Sequence, residues 1–171
     1  MYYQTTYDSP LGKVFIFCND QHVKGVYFAT QKLPKELAEI PCMRAENPVA
    51  KQVKTWLDDY FSHRMPPILR LPLAPDGTTF RRLVWHLLCQ IPYGQVRTYG
   101  DLAKEVAAME GKASMSAQAI GGAVGHNPLA IIIPCHRVVG ANGNLTGYAG
   151  GIDKKIALLK HEGRDMSAYV K

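Results

Sequence analysis

Residues Arg64 to Thr79, RMPPILRLPLAPDGTT, hold four prolines and a glycine. Proline fixes φ and has no backbone N–H to donate, so this stretch predicts an extended connection rather than a helix or a central strand. The residue patterns on its two sides differ in kind. We therefore place a boundary in it, with an α/β domain over residues 1–75 and a second domain over 76–171.

On the N-terminal side the chain reads as strands. Val14-Phe15-Ile16-Phe17-Cys18, the turn-forming Asn19-Asp20 and the alternating run from Val23 to Ala29 predict an antiparallel hairpin. A helix follows, with Asn47 as its cap, Pro48 at its first position, and Val49, Val53, Trp56, Leu57 and Tyr60 on one apolar face.

On the C-terminal side the pattern turns helical. Thr78 or Thr79 can cap a helix bearing Phe80, Leu83, Val84, Leu87 and Leu88, which ends at Ile91-Pro92-Tyr93-Gly94. Thr98 and Asp101 make a box-like cap for a second helix with Leu102, Ala103 and Val106 in its stripe. A third runs from about Ser116 to Val124. Three short helices with tight turns fit a helix-turn-helix, or a plain helical bundle. The third helix, SAQAIGGAV, has almost no bulky side chain, and each of its two glycines costs about 1 kcal/mol relative to alanine. Close packing against a neighbouring helix would explain them. So would a nucleic-acid backbone or a narrow minor groove, since a helix without long polar side chains cannot read base edges.

Length and composition set outer bounds. The 171 residues are 47% hydrophobic, enough for a packed core. No apolar run approaches the roughly 20 residues that span a bilayer, and MYYQTTYDSP lacks the basic-then-apolar pattern of a signal peptide, so the expected address is cytoplasmic, away from membranes. There Cys18, Cys42, Cys89 and Cys135 would be free thiols. Cys18 and His22 are spaced like metal ligands but lack partners, and they read as structural. The net charge of +6 points toward a polyanion; residues 1–75 contribute +2 of it and 76–171 contribute +4.

The chemistry concentrates in Ile131 to Gly140, IIIPCHRVVG, where a cysteine, a histidine and an arginine follow what reads as a buried strand. A lone cysteine is usually an inert small hydrophobe. Here a thiol near pKa 8.5 needs a base or a positive charge to become a nucleophile, and His136 is the nearest candidate in sequence. If the segment is extended, adjacent side chains point to opposite faces, so a water would bridge Cys135 and His136. Downstream, Gly140 to Gly151, GANGNLTGYAGG, is a loop whose glycines let its backbone approach a ligand closely. A final helix beginning near Asp153 buries Ile156, Leu158 and Leu159 and closes at His161-Glu162-Gly163.

Taken together, IIIPCHRVVG, NGNLTGYAGG and HEG, preceded by IPYGQVRTYGDLA and GGAVGHNP, resemble the 6-O-alkylguanine-DNA alkyltransferase family over nearly all of residues 78–163. The resemblance implies a ribonuclease-H-like N-terminal sheet domain and a mostly helical winged helix-turn-helix domain. It also implies a monomeric DNA repair protein that flips an alkylated guanine out of double-stranded DNA and moves the alkyl group irreversibly onto its own cysteine. Cys135 would be the acceptor, His136 the base acting through a water, Glu162 the acid that orients His136, Asn127 the hinge that braces the active-site turn, and Tyr99 the proton donor to the leaving guanine. Gln118 and Ala119 on the recognition helix would meet the DNA, with Gln118 where the family commonly has an arginine. Tyr148 and Ala149 would form the pocket loop, and Arg137 and Val138 would support the substrate site. No metal or organic cofactor is required.

Transfer to sulfur would give a thioether, which has no carbonyl for water to attack, so each molecule would act once. Extruding a base costs a few kcal/mol, and less where alkylation has already spoiled pairing. The residues leave three other readings open: a turnover Cys-His hydrolase, a non-catalytic protein that binds alkylated DNA, and a helix-turn-helix transcription regulator. They do not fix the range of alkyl groups or whether 4-O-alkylthymine is a substrate.

Overall fold

The computed structural model describes residues 1–145 and 147–170; Thr146 of the glycine-rich loop and Lys171 lie outside the described residues. The chain divides into two compact units, Met1–Asp76 with Pro128–Ile132, and Gly77–Asn127 with Ile133–Lys171.

In the first unit the predicted hairpin forms from β2 (Gly12–Cys18) and β3 (Val23–Phe28), antiparallel with Val14 opposite Phe28. Two further strands complete the sheet in the order β3-β2-β1-β4: β1 (Tyr2–Ser9) pairs antiparallel with β2, and β4 (Cys42–Arg44) lies parallel to β1 at the edge. The sequence reading missed both, because YYQTTYDS is largely polar and half-buried, and CMR is only three residues long. A short α1 (Lys35–Glu39) precedes β4. Helix α2 (Pro48–Phe61) starts at Asn47, whose side chain accepts from the Ala50 N–H, and it packs Val53, Trp56, Leu57 and Tyr60 against β1, β2 and β3. The proline-rich stretch is pinned to this unit: Trp56 Nε1 donates to the Pro67 carbonyl at 3.0 Å, and the Val23 N–H donates to the Pro72 carbonyl at 2.8 Å.

The second unit is built on α3 (Thr79–Leu88), α4 (Tyr99–Met109) and α5 (Ala117–Gly125), which pack against one another pairwise. Thr78, Thr98 and Ser116 cap them, each side chain accepting the N–H three residues on. Each such cap contributes about 1 kcal/mol. A short parallel pair, β5 (Arg97–Thr98) with β6 (Val138–Val139), and the closing helix α6 (Ile152–His161) complete it. Among the described residues no helix is long and apolar enough to cross a membrane.

Two expectations fail in the stretch Ile131 to Gly140. The isoleucine run is not a strand: Leu129 alone makes a bridge, to Val26, and Ile131 has φ 71°, a left-handed value uncommon for a β-branched residue. Nor are Cys135 and His136 extended; Cys135–Arg137 forms one turn of 3-10 helix, and only Val138–Val139 is strand. A short apolar run bounded by prolines, here Pro128 and Pro134, carries no periodicity that separates strand from buried turn.

The glycines of α5 are also not explained by close helix packing. A Cβ at Gly122 or Gly125 would meet nothing within 4 Å, and one at Gly121 would just reach Tyr99, at 4.0 Å. Gly77 is different. A Cβ there would lie 2.5 Å from the ring of Trp85, which is buried and held by its Nε1 donation to the Ala123 carbonyl at 2.8 Å. Gly77→Ala should therefore cost about 1–3 kcal/mol, read as a lower denaturant midpoint with an unchanged m-value; an unchanged midpoint would show that the Trp85 ring can yield.

Candidate active site

The 3-10 turn at Cys135–Arg137 buries all three of its side chains. The Cys135 sulfur is held from the C-terminal side of α5, where Asn127 Nδ2 donates to Sγ at 3.0 Å and to the Ile133 carbonyl at 2.8 Å. Asn127 is itself buried. One amide thus fixes both the sulfur and the backbone leading into the turn. Burial pushes the Cys135 thiol up, while the Asn127 hydrogen bond and the nearby charge of Lys155 pull it back toward the thiolate.

Glu162, which ends α6, is the hub of the charged network. Its carboxylate accepts from His136 Nε2 at 2.6 Å, from Arg137 Nε at 2.8 Å and Nη2 at 3.1 Å, and from the Gly94 N–H at 2.9 Å. Burial works against the charge of Glu162, but the hydrogen bonds and charges of His136 and Arg137 outweigh it and hold the carboxyl well below the usual range. Arg137 also donates from Nη1 to the Ile91 carbonyl at 2.7 Å and lies 5.7 Å from the Tyr93 ring centroid. Gly94 takes φ 78°, and a Cβ there would come within 3.0 Å of the Glu162 carbonyl, so the turn after α3 needs glycine.

The protonation of His136 follows from these partners. Burial lowers its pKa, and this exceeds the upward pull of Glu162, so the ring is neutral near pH 7. An ionised carboxylate only accepts, so the single ring hydrogen sits on Nε2. Nδ1 then carries a lone pair, and it has no hydrogen-bond partner among the described residues. A buried base with a free lone pair, on the residue next to the Cys135 whose sulfur Asn127 clasps, is equipped to receive a proton.

Two phenols lie near. Tyr99, the first residue of α4, has its hydroxyl pushed up to about 12 by burial and by Cys135, and a Cβ on Gly147 would come 3.2 Å from that hydroxyl. Tyr148 is buried with Cys135 beside its hydroxyl; burial first, then the charge and hydrogen bonding of Cys135, raise it well above its ordinary value. Gln118 is exposed near the start of α5, Ala119 is half-buried and Ala149 is exposed on the loop. Arg137 and Val138 are enclosed, Val138 in β6, and the contacts of Arg137 are to Glu162, Ile91 and Tyr93.

Sequence reasoning missed Lys155 and Gly94. Lys155 is fully buried on α6. Its signal was available, since positions 155, 158, 159 and 162 fall on one helical face and the other three are apolar or part of the site.

This geometry defines a thiol protein whose buried cysteine lies in the same compact unit as helices α3, α4 and α5. Comparison with known proteins agrees. Residues 79–164 match the DNA-binding domain of 6-O-methylguanine DNA methyltransferase, and residues 1–75 match the ribonuclease-like domain of the same proteins. The chain is 42% identical to the methylated-DNA–protein-cysteine methyltransferase of Methanosarcina acetivorans, over 95% of this chain and 99% of that protein. It is 35% identical to the one from Haemophilus influenzae, over 94% and 86%. Among solved structures, the Mycobacterium tuberculosis O6-methylguanine methyltransferase superposes with a TM-score of 0.80 at 35% identity, covering 95% of this chain and 93% of that one. A crystal structure of the same organism's OGT in complex with DNA gives 0.78 at 35% identity, covering 94% and 92%. The chain belongs to the 6-O-methylguanine-DNA methyltransferase family.

Proposed function

We propose that this protein repairs duplex DNA carrying 6-O-alkylguanine by taking the alkyl group onto Cys135, once per molecule and as a monomer. The observation that carries this reading is the pairing of a buried, amide-clasped sulfur with a neutral His136 whose only hydrogen is committed to Glu162.

In the step proposed, His136 Nδ1 draws the thiol proton through a water, Sγ attacks the alkyl carbon, the S–C bond forms as the C–O bond breaks, and the electron pair passes to the guanine. Tyr99 donates the proton that the departing guanine needs, and is replenished from the proton held on His136. Asn127 holds the sulfur in place, and Arg137 holds Glu162. Tyr148 and the exposed Ala149 belong to the loop against which the extruded base would rest. The unobstructed glycines of α5 suit close approach of a DNA backbone. Gln118, exposed on the same helix, would meet the vacated base stack without adding charge. Residues 76–171 thus serve as the DNA-binding and alkyl-acceptor domain.

Intact-protein mass spectrometry with peptide mapping, after mixing with a duplex containing one 6-O-methylguanine, tests this. One methyl on Cys135, restored guanine and at most one event per protein are expected. Repeated turnover with an unmodified protein would favour a hydrolase, and tight binding without any mass change a damage-binding module.

A further inference from the structure

Lys155 is a lysine with 0% of its surface exposed, and lysines are almost never fully buried unless paired. Its Nζ has no hydrogen-bond partner and no carboxylate among the described residues. It lies 5.9 Å from the centroid of the Tyr99 ring. Glu162 is taken up elsewhere in the site, accepting from His136, Arg137 and Gly94. Burial pulls Lys155 down to about 8, so at neutral pH it is still mostly an ammonium, and Cys135 is the group whose negative charge would favour it.

The groups around it narrow its role. From α4, Tyr99 faces it with a hydroxyl that stays neutral up to about 12. From the glycine-rich loop comes Tyr148, raised well above its ordinary value and neutral as well. From the 3-10 turn come His136, whose ring is neutral, and Cys135, both within electrostatic reach of Lys155. Arg137 is turned onto Glu162 and Ile91. Of these neighbours Cys135 is the one that gains a negative charge during a proton transfer to His136.

We propose that Lys155 is the counter-charge of the Cys135 thiolate: a cation kept from water and unpaired in the resting protein, so that the sulfur anion finds its partner already in place when the thiol proton leaves. The proposal deepens the reading of Cys135 as alkyl acceptor and rests on it for its biological meaning. The physical logic is that of fixed charge aimed at where charge develops, which costs no reorganisation during the reaction. It also separates two tasks. His136 and Glu162 remove the proton, and Lys155 stabilises what is left. A lysine with a merely structural role would be served equally well by a methionine of similar length.

The test uses the full chain with Lys155→Met and Lys155→Arg, each checked for a cooperative unfolding transition. The pH dependence of Cys135 alkylation by iodoacetamide is followed without DNA by mass mapping of the Cys135 peptide. An opposite charge at close range lowers an acid's pKa by one to three units. Lys155→Met should therefore raise the thiol inflection by at least about one unit and slow the reaction at pH 7 roughly tenfold. Lys155→Arg should keep the inflection near that of the parent. A folded Lys155→Met protein with an unmoved inflection overturns the proposal.

If Lys155→Met does not fold, the unmodified sequence still decides. The Lys155 side chain is titrated by carbon NMR before and after Cys135 is capped with a neutral methylthio group. Losing the sulfur that can become its anionic partner should lower the Lys155 inflection, because the charge Cys135 gains as it ionises is what raises Lys155, and no change would overturn the proposal. Since neither readout involves DNA, a shifted thiol titration in a protein that takes no methyl group would sink the repair function alone.

Discussion

Cys135→Ala is expected to abolish methyl uptake from a 6-O-methylguanine duplex while leaving duplex binding in place. The sulfur is clasped by Asn127 and set beside both a neutral imidazole and a buried ammonium. No other thiol can stand in for it. Burial pushes Cys18 up to about 12, Cys89 up to about 11, and raises Cys42 as well. Cys135 is raised by burial too, but it alone of the four has the Asn127 hydrogen bond and the Lys155 charge drawing it back toward the thiolate. The fold should survive, because Asn127 keeps its second bond to the Ile133 carbonyl and the deleted group is small, at a stability cost of about 1 kcal/mol. Gel-shift titration and intact-mass measurement on the same sample check both halves. Continued transfer by the variant would remove Cys135 from the acceptor role.

Much of this was legible in the sequence because it is written in local rules. The caps at Asn47 and Thr98, and at Thr78 of the two threonines offered, are single-residue signals that form as their side-chain oxygens predict, while Ser116, read only as the start of a helix, caps it in the same way. The hairpin of β2 and β3 follows from alternation and a turn. What escaped is non-local. Strand β4 exists only because β1 offers it an edge, and neither segment has an apolar rhythm of its own. The turn at Cys135 looked extended because Val138 and Val139 follow it, but Pro134 and the left-handed Ile131 bend the chain first. Among site residues, the PCHR and HEG motifs give positions but not partners. That Arg137 serves Glu162, rather than facing a substrate, depends on Ile91 and Tyr93 from the turn after α3, far away in the chain. Lys155 was overlooked because a charged residue on a helix is ordinarily assigned to water, and only its burial reveals the exception.

Glu162→Gln should damage both the reaction and the fold, for related reasons. Four N–H groups converge on the carboxylate, which can only accept. A glutamine offers one oxygen and one NH2 group, so whichever way it turns, its donors confront two of those N–H groups. Toward Gly94 and Arg137 Nε there is no remedy. Toward His136 there is one, because the imidazole can shift its hydrogen from Nε2 to Nδ1 and accept from the amide. That escape turns Nδ1 from an acceptor into a donor and removes the base that Cys135 needs, a loss on the order of 10²- to 10⁴-fold in transfer rate. Arg137 meanwhile becomes a buried cation without its carboxylate, which destabilises by about 3 kcal/mol. Acidity supplies a control. Because folding lowers the Glu162 pKa, the unfolded chain binds more protons in acid; the stabilisation is complete above the ordinary glutamate value near 4.3 and is lost as pH falls through the lower folded value. The stability gap between parent and variant, measured by denaturant titration, should therefore be full at pH 7 and shrink well below pH 4. The rate should respond from the other side. With the base gone, transfer by the variant depends on the thiol ionising unaided, so single-turnover rates should climb with pH into the alkaline range. The parent should instead hold its rate through neutrality, falling only in acid as His136 protonates below its usual 6.5. A folded Glu162→Gln protein with the parent's rate and pH profile would take Glu162 out of the relay and leave it as the anchor of Arg137 alone.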